Sequence, residues 1–163
     1  MKMIIAVKLS KILLVAGVAL FSTLVVFNNL VDYPSNYLYV QHVMTMDTTG
    51  NNAQAAWRAI YDPVIWKVVY GLIIALESVI ALLCWAGVVC MSLDMHSKGF
   101  HDSKCLALLG LTLGILLWFL AFMGVSGEWF LAWQSRSWNG IQPGFRVATL
   151  FLLILLYLSQ KEQ

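Results

Sequence analysis

Charge is what this chain has least of. Only 11% of its 163 residues are Asp, Glu, Lys or Arg, while 61% are hydrophobic. Soluble domains carry roughly 25% charged residues, so a water-soluble fold of this size is excluded: too much apolar surface would have no core to enter. The ten Lys and Arg exceed the eight Asp and Glu by two, an excess too small and too scattered for a nucleic-acid footprint. Cysteine is scarce as well. Cys84, Cys90 and Cys105 all lie within or at the ends of apolar runs, so no disulfide framework is readable and they serve as small apolar filler. Nucleophile elbow, Walker loop, dinucleotide fingerprint, HExxH and CxxC are missing, and Ser126-Gly127-Glu128 is no hydrolase signature. Nothing in the sequence argues for an enzyme or a cofactor. Repeats, low-complexity tracts and long linkers are missing too, leaving one domain, 1–163.

Long apolar runs are abundant. Ile12 to Val31 carries no charge over 20 residues and follows Lys2, Lys8 and Lys11. A signal peptide has an apolar stretch of roughly 7 to 15 residues and a small-residue cleavage site. This run is longer and lacks that site, which predicts a retained signal-anchor helix. The second span, about 66–91, is entered through Asp62-Pro63. Asp suits the cap, and Pro suits the first helical position, where its missing N–H is not needed. The third, 105–125, is charge-free and long enough to cross roughly 30 Å of hydrocarbon. The fourth, 144–158, takes in Arg146. These four spans predict an all-α integral membrane bundle whose first partner is the lipid bilayer.

Orientation follows the Lys and Arg distribution. Lys2, Lys8, Lys11, Lys98, Lys104 and Lys161 fall on one side, and Arg58, Lys67, Arg136 and Arg146 on the other. The more basic side is expected in the cytoplasm, with both termini and the 92–104 loop. Segments 32–63 and 126–143 then face outward. Tyr37, Val40 and Met44 recur at helical spacing, as do Trp57, Ile60 and Tyr61, which predicts short interfacial helices over 33–46 and 53–61. Between them Asp47-Thr-Thr-Gly-Asn-Asn52 reads as a turn. Trp129, Trp133 and Trp138 suit the membrane boundary, where an apolar ring can keep its N–H wet.

Two charges fall within spans. At about 1.5 Å per helical residue, Glu77 lies roughly 21 Å and Arg146 roughly 18 Å above the cytoplasmic boundary. An unpaired charge at that depth costs at least about 2.5 kcal/mol, so a Glu77–Arg146 pair across the second and fourth helices is expected. Its bland role is a clamp that fixes register. Its functional role is an ion relay or a polar handle for a lipid or quinone. A single carboxylate without a second acidic or histidine partner makes a poor proton wire, which favours the clamp.

Weaker constellations remain. His42, Met44 and Met46 form H-x-M-x-M, a soft-ligand pattern suited to Cu(I), but without a cysteine or a second Met cluster they read as interfacial filler. Asp94, His96, His101 and Asp102 read as a solvated turn rather than a metal site. Glu128, Arg136 and Arg58, beside Trp57, Trp129, Trp133 and Trp138, form either a docking surface or a cap stapled by Arg–carboxylate pairs; the stapled cap is favoured. Gly110 and Gly114 make a GxxxG that permits close helix approach, within the bundle or between protomers.

The outer segments are the distinctive part of the chain. FNNLVDYPSNYLYVQHVMTMDTT (27–49), WRAIYDP (57–63) and GEWFLAWQSRSWNG (127–140) resemble the bacterial family of predicted small integral membrane proteins catalogued as domain of unknown function 2165. The resemblance covers nearly the whole chain. It implies a bacterial inner-membrane protein and brings no activity, cofactor or partner. The leading functional expectation is a non-enzymatic accessory or scaffolding subunit of a membrane complex, with a membrane-protein partner or a second copy of the chain. The alternative is a small carrier or lipid- or quinone-binding protein using Glu77 and Arg146.

Overall fold

The computed structural model describes residues 2–50 and 53–162; Met1, Asn51, Asn52 and Gln163 lie outside them. The described residues form helices and turns without a strand. Four helices are long and apolar enough to cross a membrane, so both described ends of the chain lie at the same end of the bundle.

Helix α1 runs Lys2–Val31 and begins ten residues ahead of the charge-free run, because a helix need not stop where the hydrocarbon does. Helix α3, Pro63–Leu93, starts as its sequence dictates, with Pro63 in the first turn and the Asp62 carboxylate accepting from the Val64 amide at 2.8 Å. Helix α4, Cys105–Leu116, continues without a break into a π-helix over Leu117–Trp129. Hydropathy predicts a single uniform span there and does not distinguish the two geometries. Helix α5, Ile141–Ser159, opens three residues before the expected start, with the Asn139 side chain accepting from the Ile141 amide at 3.0 Å.

The bundle core joins Val15 and Ala19 of α1 to Cys84 and Met91 of α3, Ala107 and Leu111 of α4, and Phe151 and Leu158 of α5, all buried. Close approach rests on glycine. A Cβ on Gly87 would lie 2.6 Å from the Cβ of Ala107, one on Gly110 2.8 Å from Cys84 Sγ, and one on Gly114 2.5 Å from the Phe151 ring. The GxxxG of α4 therefore faces α3 and α5, and the bundle itself uses the close approach it permits. Large apolar side chains such as Leu13, Leu20, Leu82 and Leu153 point outward, where lipid would cover them.

Helix α2, Tyr33–Thr45, lies at the end of the bundle away from the termini and packs against α3. Val40, Val43 and Met44 are buried there with Trp66, Tyr70 and Phe130. The helix expected over 53–61 is reduced to one 3₁₀ turn, Ala56–Arg58. Its continuation is diverted: the Ile60 amide donates to the Met44 carbonyl at 2.8 Å and the Ile60 carbonyl accepts from the Trp66 indole at 2.8 Å. The residue ahead of Pro63 is also biased away from helix. The turn expected over 47–52 is seen through its first residues; Asn51 and Asn52 lie outside the described part.

Candidate functional site

Glu77 sits near the middle of α3, fourteen residues from Pro63 and sixteen from Leu93, and is 4% exposed. Tyr70, two turns earlier on the same face, is 2% exposed. Helix α1 brings Asn29 between them. The Asn29 amide donates to Glu77 Oε2 at 2.5 Å, while the Tyr70 hydroxyl donates to the backbone and side-chain oxygens of Asn29 at 3.1 and 3.2 Å. Both polar atoms of the Asn29 side chain are thereby oriented, and the amide, not a cation, faces the carboxylate.

The expected partner is elsewhere. Arg146 is exposed and takes no part in the ion pairs among the described residues, which join Lys11 and Lys104 to Glu162 and His42 to Asp47. The correction has a simple cause. Gly144 and Ala148 belong to the buried stripe of α5; Arg146 is two positions from each, which at about 3.6 residues per turn sends it to the opposite face. It lies only five residues inside the first residue of α5, within reach of the membrane boundary for a long side chain.

Glu77 lines a cavity of about 450 Å³. Asn28 and Asn29 of α1, Ser35, Asn36 and Tyr39 of α2, and Ser137, Asn139 and Gly140 of the loop before α5 supply its polar wall, and Tyr70, Trp118, Phe122 and Trp138 its aromatic one. No Lys or Arg lines it. Towards the terminal end, the space beside Glu77, Ser22 and Trp118 shrinks to about 10 Å³, so the cavity ends there rather than crossing the bundle. Phe122 stacks on Trp118 at 4.5 Å between centroids, and Tyr39 stacks on Phe122 at 5.9 Å. The Tyr39 hydroxyl pairs with Ser126 at 2.8 Å. Burial raises its pKa above the ordinary phenol value despite the Ser126 and Gly140 hydrogen bonds, which keeps the proton available.

A second cavity of about 270 Å³ lies beside the first and is lined mainly by apolar groups, among them Val43, Leu72, Leu76, Leu117, Ala121 and Val125. Tyr39, Val40, Ile73 and Phe122 line both cavities and form a common wall. The π-helix lines the apolar cavity with Leu117, Ala121 and Val125 and the polar one with Trp118, while Phe122 lines both.

With four spans and this cap in place, comparison with family models finds a match over residues 7–161 to the predicted small integral membrane proteins, DUF2165. The chain belongs to that family. Comparison with curated proteins and with solved structures finds no significant match.

In this small integral membrane protein the cap tryptophans are arranged differently from a charge-stapled cap. Trp57 and Trp129 meet edge to face at 5.8 Å, and the Arg58 guanidinium lies 5.6 and 5.1 Å from their ring centroids while donating to the Trp129 carbonyl at 3.2 Å. Glu128 and Arg136 are exposed, and among the described residues neither they nor Arg58 forms an ion pair. The expected Arg–carboxylate staples are thus replaced by cation–π contacts and by the apolar cap core. Trp133 is exposed; Trp138 stacks on His42 at 4.6 Å. His42 also bonds Asp47 at 2.7 Å, while Met44 and Met46 are buried in the cap core, so the H-x-M-x-M residues serve packing. Asn29 and Tyr70 escaped sequence reasoning. The signal for Asn29 was present as one of two amides closing an apolar run, but Tyr70 carried none.

Proposed function

We propose that this chain is a non-enzymatic binding protein of the bacterial inner membrane, with its termini in the cytoplasm, that takes an amine-bearing amphiphile from the outer leaflet. The observation that carries this reading is a buried carboxylate at the closed end of a 450 Å³ cavity with a neutral amide as its hydrogen-bond partner. A carboxylate withdrawn from water is compensated by a proton or by a cation. The cavity supplies aromatic faces for a cation and amide and hydroxyl groups for its N–H bonds. It contains no basic side chain to favour an anion. The neighbouring apolar cavity suits an alkyl chain.

Equilibrium binding of labelled decylamine to the protein in nanodiscs tests this. Saturable binding that exceeds that of decanol, and that drops at least tenfold in Glu77→Gln while the variant elutes as a folded particle, is the expected result. Equal binding of amine and alcohol, or an unaffected Glu77→Gln, defeats it.

The accessory-subunit reading draws on a different observation, the exposed Trp57, Trp129 and Trp133 of the outer face. Tryptophans at this level also serve as boundary anchors, which makes it the second choice. A stoichiometric partner recovered in mild detergent and released by Trp57→Ala with Trp133→Ala would reverse that order.

A further inference from the structure

At the terminal end, α1, the 98–104 turn and the segment after α5 bring an unusual density of lysine together. Lys11 and Lys104 are 1% and 0% exposed, yet both place Nζ 2.6 Å from the same oxygen of Glu162. Both also donate to the Gln160 carbonyl, at 2.5 and 2.9 Å. One carboxylate thus faces two buried cations. Lys8 donates to the carbonyls of Met95 and Ser97 at 2.9 and 3.1 Å and lies 4.8 Å from the Phe100 ring centroid.

Beside this cluster opens a cavity of about 430 Å³, lined by Lys8, Lys98, His101, Lys161 and Glu162, with Ile4 and Phe100 as its apolar part. Glu162 does not cancel the three lining lysines, because Lys11 and Lys104 already over-compensate it. The lining itself has three lysines and one glutamate, an excess of two positive charges, and that glutamate is already held by Lys11 and Lys104. Asp94 caps its own turn through Ser97 and Asp102 is not among the lining residues.

We propose that this cavity binds the phosphate of an anionic phospholipid. The chemistry is that of a phosphate diester: several ammonium donors around one anion, at the level where helices leave the hydrocarbon, with Ile4 and Phe100 placed against the first part of the acyl region. Lys8 is fixed by its two carbonyls, and Lys98 and Lys161 are exposed at the rim. Glu162, held by Lys11 and Lys104, forms a back wall of net positive charge. The site is independent of the Glu77 cavity, which opens at the other end of the bundle.

Native mass spectrometry of the protein from mixed phosphatidylglycerol and phosphatidylcholine nanodiscs tests the proposal. Phosphatidylglycerol should be retained several-fold over phosphatidylcholine, and Lys98→Glu with Lys161→Glu should abolish that preference. Both lysines lie at the surface, so this variant should fold; if it does not, Lys98→Gln with Lys161→Gln is used with the same readout. Inorganic phosphate that displaces the lipid and binds more tightly would keep the phosphate site but assign it to the free anion. Equal retention of the two lipids, or a preference unchanged in both variants, overturns the site.

Discussion

Asn29 and Glu77 meet across α1 and α3 through a single hydrogen bond of 2.5 Å, and that contact places a carboxylate in the middle of a membrane helix without a cation beside it. Tyr70 fixes the other side of Asn29, so the amide is committed to Glu77 and cannot turn its oxygen toward the carboxylate. The three residues therefore act as one unit in which the amide is the geometrical centre.

Replacing Asn29 should disturb this unit more than neutralising Glu77. Asn29→Leu strands the carboxylate and leaves the Tyr70 hydroxyl only the backbone carbonyl of residue 29, with an expected loss of about 1–3 kcal/mol. Glu77→Gln preserves shape and hydrogen-bonding capacity and should cost under about 1 kcal/mol. Unfolding in detergent, with the double variant to extract the coupling, measures both. A Glu77→Gln loss larger than that of Asn29→Leu would show that the charge, rather than the amide bridge, holds the helices.

Arg146→Gln should change stability by no more than about 0.5 kcal/mol, as for other exposed positions, and should show no coupling to Glu77→Gln. A measured coupling near 1 kcal/mol would restore the inter-helix clamp. What one helix fixes by itself, its rise per residue, was legible in the sequence; how two helices sit against each other was not. Glu77 lies fourteen residues from the start of α3 and Arg146 only five from the start of α5, and Arg146 turns away from the stripe marked by Gly144 and Ala148.

The same distinction explains what else could be read. Four apolar runs and the Asp62-Pro63 cap specify the spanning helices locally. The π-helix from Leu117 to Trp129 was invisible because its apolar composition satisfies either helix geometry. The loss of the helix expected over 53–61 depends on Met44, a residue in a different segment, claiming the Ile60 amide. The lysine cluster was counted as a topology signal, while its convergence on Glu162 required the fold.

Gly87→Leu should be severely destabilising, because even a methyl group there would sit 2.6 Å from the Ala107 side chain. Gly87→Ala should cost about 1–3 kcal/mol through overpacking. Gly17→Ala is the control, with nothing within 4 Å of its added Cβ. Thermal unfolding of the three variants checks the order, and size-exclusion chromatography adds a second readout. Loss of an oligomer in Gly110→Ala without loss of monomer stability would contradict the intramolecular use of the α4 glycines.

Glu162 should set the acid limit of stability at the terminal end. Burial pushes its carboxyl up, but hydrogen bonds from Lys104 and Lys11 outweigh that and leave the pKa below its ordinary value of 4.5. A carboxylate depressed in the folded state stabilises the fold above the unfolded pKa of about 4.3, and that contribution vanishes as pH falls through the lower folded value. The contribution of Glu162 to the unfolding midpoint should therefore be flat from neutrality to about pH 5 and fall below about pH 4. Glu162→Gln should begin lower at neutral pH, by roughly 3 kcal/mol, since it leaves two buried ammonium groups without a counter-charge. It should also lose part of the acid-dependent slope, because the titrating group itself is gone. An acid slope identical in the native chain and Glu162→Gln would place the responsible carboxylates elsewhere, whereas a lower starting point with a shallower slope would assign both effects to the contact between Glu162 and its two lysines.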